Sequence, residues 1–236
     1  MDDRSKGADI TRGSDFSSIA QNYKRDFWSK ENLKFAAPHF RLEKAVRLIN
    51  KVAKGRECDL LDVCCGPAAL MHWLPENIHY YGIDIAIHDS QAPNHLEADF
   101  MEAPIEFGGN RFDIVLAQGV FEYVGALQAQ KFAEIGGLLK PGGTFIVSYW
   151  NFTHVNKHIY EAFSNVQPID DFRKSLAQYF TIDKYFPVAH NWHHREPGRK
   201  LIMAAQMHVN LNIPFVSPAL AVEYFFVCSP SKNPDL

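Results

Sequence analysis

Residues 60–70 read LLDVCCGPAAL, and this stretch decides the fold. An apolar run ends in Asp62 and two cysteines, and Gly66 and Pro67 follow where a strand has to stop. Gly66 lets the backbone approach a ligand closely, and Pro67 suits the first position of a helix, whose free N–H groups point at that ligand. Ligands of open α/β sheets bind beyond the carboxyl ends of the strands. The stretch therefore predicts a first strand, a binding loop and the start of a helix.

The chain on both sides of this loop alternates strand patterns with helix patterns. Apolar strands that alternate with helices predict a parallel sheet covered on both faces. The predicted strands are CDLLDV (58–63), IHYYGID (78–84), NHLEAD (94–99), FDIVLAQ (112–118), TFIVSYW (144–150), FTIDKYFPV (180–188) and AVEYFFVC (221–228). The predicted helices are RLEKAVRLINKVAK, AALMHWL, QAQKFAEIGGLLK and PIDDFRKSLAQYF, and a turn is predicted at Pro141-Gly142-Gly143.

The chain reads as one domain with two additions. Residues 1–14 are polar and without periodicity, which predicts a disordered leader. Residues 15–236 form a single predicted domain, in which residues 15–55 are N-terminal helices. Residues 188–217 are too long for a plain connection between two strands, so we expect them to form a lid.

Composition narrows the class of partner. The formal net charge is −3 and the basic residues are scattered, which disfavours nucleic acid and favours a small molecule. The N-terminus lacks the apolar core of a signal peptide and no apolar run reaches membrane-spanning length, so we predict a cytoplasmic protein. The cysteines, Cys58, Cys64, Cys65 and Cys228, lack CxxC spacing and are predicted to be reduced thiols without a metal. The oligomeric state stays open.

The motifs LLDVCCGP, YYGID, EADF, RFDIVLAQGVFEYV and LLKPGGTFIVSY together resemble the class I S-adenosylmethionine-dependent methyltransferases. The resemblance covers roughly residues 40–228, and the order and spacing of the motifs is more specific than any one of them. It implies a Rossmann-like α/β fold with a seven-stranded, mostly parallel sheet, helices on both faces and an antiparallel last strand. It also implies S-adenosylmethionine as methyl donor and S-adenosylhomocysteine as product, bound across the ends of the first two strands.

This resemblance assigns residues to the donor. Asp84 ends the second strand, where a carboxylate can accept hydrogen bonds from both ribose hydroxyls. Asp99 is placed to bond the adenine amino group, with Phe100 or Met101 against the ring. The remaining expected donor-binding residues are Tyr23, Asp62, Cys64, Gly66, Pro67, Ile85, Gln118 and Gly119.

The first loop departs from the family pattern of acid-x-Gly-x-Gly-x-Gly. It keeps Asp62 and Gly66, but Cys64 and Ala68 stand where two glycines are expected. We interpret both as small residues that still admit the donor, and the two cysteines as packing residues; a catalytic or redox thiol is the alternative. A nicotinamide dehydrogenase is disfavoured because residues 64–69 do not align with Gly-x-Gly-x-x-Gly.

The catalytic candidates follow from the chemistry of methyl transfer. The reaction is an in-line displacement that depends on alignment, and a base helps when the acceptor is a hydroxyl or ammonium. The segment HNWHH in the predicted lid offers His190 and His193 as bases, with Glu122 as a further candidate; a polar surface loop is the alternative. A zinc site is disfavoured because the spacing lacks helical periodicity. The expected acceptor-binding residues are Tyr123, Tyr149, Trp150, Asn151, Trp192 and His194.

The sequence thus predicts an enzyme that methylates an oxygen or nitrogen of a small molecule, such as a specialised metabolite or a sugar. The alternative is a donor-binding protein that has lost transfer activity and acts as a binding or assembly subunit. The reason for that alternative is that the first loop lacks two of the glycines that the family pattern contains.

Overall fold

The computed structural model describes residues 39–85, 94–102, 104–151, 167–190 and 221–231 of the chain. The predicted leader, the first N-terminal helix and most of the predicted lid lie outside these residues. The described elements are α1 (His39–Ala53), β1 (Cys58–Val63), a 3-10 helix (Ala69–Trp73), β2 (Ile78–Asp84), β3 (His95–Glu97), β4 (Phe112–Ala117), α2 (Phe121–Val124), a 3-10 turn (Gly125–Leu127), α3 (Gln128–Leu138), β5 (Leu139–Trp150), α4 (Ile169–Tyr179), β6 (Phe180–His190) and β7 (Ala221–Pro230).

The strands form one sheet in the order β3-β2-β1-β4-β5-β7-β6. Strands β1 to β5 are parallel to one another, and β7 runs antiparallel to both β5 and β6. The predicted seven-stranded sheet with an antiparallel last strand is therefore confirmed. After β1 the chain adds strands on one side, and β4 returns to the other side of β1. This switch point opens a crevice at the carboxyl ends of β1 and β4.

The sheet is buried on both faces. Successive side chains of a strand point to opposite faces, so Leu61 joins the core beneath α3 and α4, which contains Phe132 and Phe172. Leu60 joins the core beneath α1, which contains Ile49. Full burial of a side chain such as Phe132 contributes roughly 1.5–3 kcal/mol relative to exposure. Burial on both faces explains why the strands read as continuous apolar runs.

The sequence predicted an α-helix after β1, but the structure has a single 3-10 segment there. It begins at Ala69, because Ala68 has the left-handed conformation with φ 53°. It ends at Trp73, because Leu74 precedes Pro75 and is extended, as residues before proline prefer. Pro67 therefore does not open a helix, and the expected anion-binding helix N-terminus is absent from this part of the described chain.

Two other boundaries moved. The predicted third strand shrinks to the His95–Glu97 segment. The predicted turn at Pro141-Gly142-Gly143 lies inside β5, where the register with β4 jumps between Phe112 and Ile114. Gly142 has φ 77°, and a Cβ on Gly143 would lie 2.9 Å from the Lys140 carbonyl oxygen. The glycines therefore form a bulge that β5 absorbs without ending.

Candidate active site

The loop after β1 keeps a glycine-like backbone although it contains one glycine. Cys64, Gly66 and Ala68 have φ angles of 54°, 54° and 53°, all in the left-handed region. An L-residue in that region costs roughly 1–2 kcal/mol, whereas glycine adopts it freely. The chain thus holds Cys64 and Ala68 in the conformation that the family pattern assigns to glycine. The loop path is retained at the expense of backbone strain.

Asp84 anchors this loop to the end of β2. The backbone N–H of Gly66 donates to the Asp84 carboxylate at 2.8 Å, and the N–H of Cys65 donates to the carbonyl oxygen of Ile83 at 3.1 Å. Asp84 is 8% exposed, so its carboxylate lies largely beneath the loop. A carboxylate accepts about four hydrogen bonds, so the contact with Gly66 leaves capacity for a ligand. The predicted ribose contact of Asp84 stays a prediction.

Asp62 is a buried acid with a phenol as its partner. The Tyr80 hydroxyl donates to the Asp62 carboxylate at 2.9 Å. Burial raises the pKa of Asp62 to about 7, and the negative charge of Asp84 acts in the same direction, although the bond from Tyr80 opposes both. Asp62 therefore titrates near neutrality and is held against β2. Its predicted contact with the donor remains untested.

A cysteine–histidine contact under the loop was not predicted from the sequence. The Cys65 sulfur lies 3.0 Å from Nε2 of His95, the first residue of β3. His95 pairs with Gly82, and a Cβ on Gly82 would lie 2.2 Å from the imidazole ring and 2.9 Å from the Cys65 sulfur. Gly82 is therefore required by close packing. A glycine inside the strand pattern YYGID was the available signal for this close approach.

The surroundings of both loop cysteines favour the protonated thiol. Burial raises the pKa of Cys64 and of Cys65 well above the ordinary range, and nearby acids raise them further. The nucleophilic form of cysteine is the thiolate, which such surroundings suppress. These surroundings favour the interpretation of Cys64 and Cys65 as packing residues over a catalytic thiol.

The predicted adenine-contacting residues divide between core and surface. Phe100 is 2% exposed, its ring meets Phe121 edge to face at 6.2 Å, and the Lys131 ammonium lies 5.0 Å from its centroid. Asp99 accepts a hydrogen bond from the N–H of Met101 at 2.8 Å. The structure thus places Phe100 in the core, and the half-buried Met101 offers the more accessible side chain.

The end of β4 is fixed to β5. Gly119 has φ 71°, and its N–H donates to the Ser148 hydroxyl at 2.8 Å. Gln118 and Gly119 are partly exposed beside the crevice, as are Pro67 and Ile85 at the ends of the other strands. The structure therefore brings these four predicted donor-binding residues to the carboxyl edge of the sheet.

The predicted acceptor residues are joined by hydrogen bonds across β5. Glu122 is 4% exposed and accepts a hydrogen bond from the N–H of Trp150 at 3.0 Å. Asn151 is 1% exposed and donates to the carbonyl oxygen of Ala221 at 3.1 Å. Trp150 and Tyr123 are partly exposed, so they are the members of this set best placed for a ligand.

Tyr149 points to the other face of the sheet. It is fully buried, its ring stacks on Phe172 at 3.8 Å, and its hydroxyl accepts a hydrogen bond from the N–H of Gln167 at 2.9 Å. These contacts give Tyr149 a packing role. A fully buried side chain is poorly placed to contact an acceptor, so the structure gives no support to the expected acceptor contact of Tyr149.

Two buried ionisable side chains, Lys44 and Glu223, were also not identified from the sequence. Lys44 of α1 is 2% exposed and donates to the carbonyl oxygen of Pro187 at 2.9 Å. Burial lowers the pKa of Lys44 to about 8, and the negative charge of Glu223 partly offsets that fall. Glu223 is 2% exposed and lies opposite Trp150 in the sheet. Lys44 occupies an ordinary amphipathic helix pattern, so no local signal marked it.

The remaining candidates lie partly or wholly outside the described residues. The backbone of His190 ends β6 opposite Ala221, close to Glu223, and its side chain is not described. Tyr23, Trp192, His193 and His194 lie outside the described residues. Among the residues that are described, no group of three metal-ligating side chains occurs, and no helix is long and apolar enough to cross a membrane.

Comparison with known proteins gives one family and a set of similar folds. Residues 61–147 match the family described as a methyltransferase domain. No curated protein sequence matches significantly.

Three solved structures are similar over most of their length. The N-methyltransferase NodS from Bradyrhizobium japonicum WM9, solved with S-adenosyl-L-homocysteine, is 10% identical, with 89% of this chain and 97% of that chain covered at a TM-score of 0.58. A TehB-like SAM-dependent methyltransferase from Corynebacterium glutamicum is 14% identical, with coverages of 91% and 100% at 0.58. The 1,6-didemethyltoxoflavin-N1-methyltransferase from Burkholderia thailandensis is 16% identical, with coverages of 92% and 87% at 0.57. At these identities the likeness shows the shared fold.

Proposed function

We propose that this chain, which belongs to the class I S-adenosylmethionine-dependent methyltransferases by its methyltransferase domain and its fold, transfers a methyl group from S-adenosylmethionine to an oxygen or nitrogen of a small molecule. The observation that carries the proposal is the loop after β1. Every second residue of this loop, Cys64, Gly66 and Ala68, has a left-handed backbone conformation. The N–H of Gly66 also donates a hydrogen bond to the Asp84 carboxylate. Strain of this kind persists where the surrounding structure and a ligand require the conformation.

The donor lies across the carboxyl ends of β1, β2 and β4. Asp84 accepts hydrogen bonds from the ribose, and Asp99 and Met101 bind the adenine beside the buried Phe100. Gly119 gives the methionine part close access to the backbone after β4. The methyl group then points toward Glu122 and Trp150, and S-adenosylhomocysteine is the product.

The acceptor occupies the crevice beside β5, with Tyr123 and Trp150 as walls. Two of the similar structures, the N-methyltransferase NodS and the 1,6-didemethyltoxoflavin-N1-methyltransferase, are nitrogen methyltransferases, which supports a nitrogen acceptor. The acceptor that we propose is a specialised metabolite or a sugar in the cytoplasm, because the net charge of −3 disfavours a nucleic acid. Alignment of the acceptor with the methyl group supplies most of the rate enhancement.

We expect a base from the last residue of β6 or from the segment that follows it. His190→Gln and His193→Gln keep hydrogen-bonding capacity and remove the titrating group. If either imidazole is the base, turnover falls roughly 10²-fold or more while donor affinity is unchanged. If neither substitution changes turnover or its pH profile, Glu122 becomes the candidate base.

The second candidate function is donor binding without transfer. It is motivated by the glycine-poor loop, in which Cys64 and Ala68 stand where the family pattern has two glycines. Calorimetry with S-adenosylmethionine, S-adenosylhomocysteine and NAD tests the donor assignment, and product mass spectrometry against a metabolite panel tests transfer. Donor binding without any methylated product supports the second function. Binding of NAD alone overturns both.

A further inference from the structure

A second cavity lies at the opposite edge of the sheet from the donor loop. It has a volume of about 400 Å³ and is lined by residues at the start of β1 and β4, including Cys58 and Ile114. Six residues of β1 separate the two sites, which is about 20 Å at the rise of an extended strand. Cavities that hold small molecules measure roughly 300–1,000 Å³. The cavity is therefore large enough for a ligand of its own.

The inner wall of this cavity is apolar. Leu48 and Val52 of α1 face Ile114, Phe186 and Val227 of the sheet across it. Ile114 and Phe186 are fully buried, and Leu48 is 5% exposed. The wall therefore offers van der Waals contact and no hydrogen-bond partner to the body of a ligand.

The rim of the cavity is basic. Lys51, Lys54, Arg56 and Lys184 line it, and all four side chains are exposed. Across the described residues none of these four forms an ion pair with a carboxylate. Asp113 is the acidic residue that lines the cavity, and its carboxylate lies 2.7 Å from the Lys140 ammonium. The rim thus carries an excess of positive charge on a chain whose net charge is −3.

Helix capping explains part of this rim. Basic residues are favoured near the carboxyl end of a helix, where Lys51 and Lys54 lie, and Arg56 donates through Nε to the carbonyl oxygen of Ala53 at 3.3 Å. Capping does not explain Lys184, which comes from β6 and whose ammonium lies 5.4 Å from the ring centroid of Phe186 in the cavity wall. The guanidinium of Arg56 also retains donors beyond the one that it uses.

We propose that this cavity binds a small organic anion, with its phosphate or carboxylate head among Lys51, Lys54, Arg56 and Lys184 and its apolar body against Val52 and Val227. A cluster of cations around a concave, low-dielectric wall focuses the field on an anion. The donor loop and this cavity share no lining residue, so the inference does not depend on the proposed function.

The test uses 8-anilinonaphthalene-1-sulfonate, which joins an aromatic body to one negative group. It is titrated against the full chain by calorimetry and fluorescence, with and without saturating S-adenosylhomocysteine. We expect saturable binding at one site that the donor product does not displace. The double variant Arg56→Gln/Lys184→Gln should weaken this binding at least tenfold.

Two controls separate a built site from general attraction. Arg47→Gln/Lys174→Gln removes the same charge at exposed positions that are paired with Glu43 and Asp171, and it should change the affinity less than twofold. Val52→Gln leaves the cations in place and removes apolar wall, so it should also weaken binding severalfold. Circular dichroism and melting temperature establish that each variant folds. Equal losses in both double variants, displacement by S-adenosylhomocysteine, or no saturable binding up to millimolar probe each overturn the proposal.

Discussion

The parallel strands begin at the amino edge of the sheet and end at its carboxyl edge, and these two edges place acidic side chains in different surroundings. At the amino edge Lys140 bridges Asp59 at 2.6 Å and Asp113 at 2.7 Å, and all three side chains are between a quarter and two-fifths exposed. The hydrogen bonds from Lys140 to Asp113 and Asp59 raise the pKa of Lys140 to about 12. Partial burial raises the pKa of Asp113, but its bonds with Lys140 and with the N–H of Asp59 outweigh that effect and lower it. This bridge therefore pairs one ammonium with two carboxylates that are still partly in contact with water.

At the carboxyl edge the acids are buried. Asp62, Asp84, Glu122 and Glu223 are each less than a tenth exposed. Burial raises the pKa of Asp62 to about 7, and the negative charge of Asp84 acts in the same direction, although the hydrogen bond from Tyr80 opposes both. Burying acids costs stability, and such costs concentrate where a ligand is bound. The comparison teaches that the Lys140 bridge contributes to stability, whereas the carboxyl edge carries backbone strain and buried charge where we propose that the donor binds.

The largest expected effect is on donor affinity. Asp84→Asn keeps an oxygen for the Gly66 N–H but removes the charge that we propose holds the ribose. Each hydrogen bond to a charged group contributes roughly 1.5–3 kcal/mol, so affinity for S-adenosylhomocysteine should fall about 10- to 100-fold by calorimetry. Asp113→Asn removes a charge from the amino edge and should leave that affinity unaltered. Equal losses in both variants would break the comparison.

The next effect concerns the packing beneath the loop. Gly82→Ala places a methyl group 2.2 Å from the His95 ring and 2.9 Å from the Cys65 sulfur. Overpacking of this kind costs typically 1–3 kcal/mol, measured by urea unfolding. Gly137→Ala is the matched control, because its Cβ meets nothing within 4 Å in α3, and it should stabilise by up to about 1 kcal/mol. An equally benign Gly82→Ala would show that the contact between Cys65 and His95 is loose.

The two edges should also respond to pH with opposite signs. The pKa of Asp62 is raised from 3.8 to about 7, so the native state holds the proton more tightly, and stability falls as pH rises through that window. The slope is at most about 1.4 kcal/mol for each pH unit. Asp113 has a lowered pKa, so its contribution is present at higher pH and is lost as pH falls through its folded pKa.

Urea unfolding from pH 3 to pH 8 measures both contributions. Asp62→Asn should flatten the decline between about pH 4 and pH 7. Asp113→Asn should instead reduce the loss of stability at acidic pH. A decline that persists unchanged in Asp62→Asn would assign it to another buried group.

The sequence allowed prediction of features that repeat locally. Strand patterns such as FDIVLAQ and the acid at the end of YYGID placed the sheet and Asp84, because period and strand ends are encoded within a few residues. The path of the loop was foreseen through the family pattern, although the left-handed φ of Ala68 and the loss of the helix after it were not.

The missed features depend on distant residues. Cys65 and His95 are 30 positions apart, and Lys44 and Pro187 are 143 apart. Such pairs meet because of strand register and of how α1 lies on the sheet, and neither is written in a local pattern. The face of β5 that Tyr149 occupies could not be predicted for a similar reason, since it is revealed only by the packing of α4.

The smallest expected effect tests whether loop strain serves the donor. Cys64→Gly relieves a left-handed L-residue, a gain of roughly 1–2 kcal/mol, but it loses a partly buried side chain and adds unfolded-state freedom worth about 0.5–1 kcal/mol. We therefore expect stability to change by less than about 1 kcal/mol and donor affinity to be kept or improved. Cys65→Gly is the matched control: Cys65 is not among the residues with positive φ, so glycine there relieves nothing and removes the His95 contact. It should destabilise by about 1 kcal/mol or more in urea unfolding. If Cys64→Gly is instead the more damaging change, the Cys64 side chain has a role in the site that its backbone conformation does not explain.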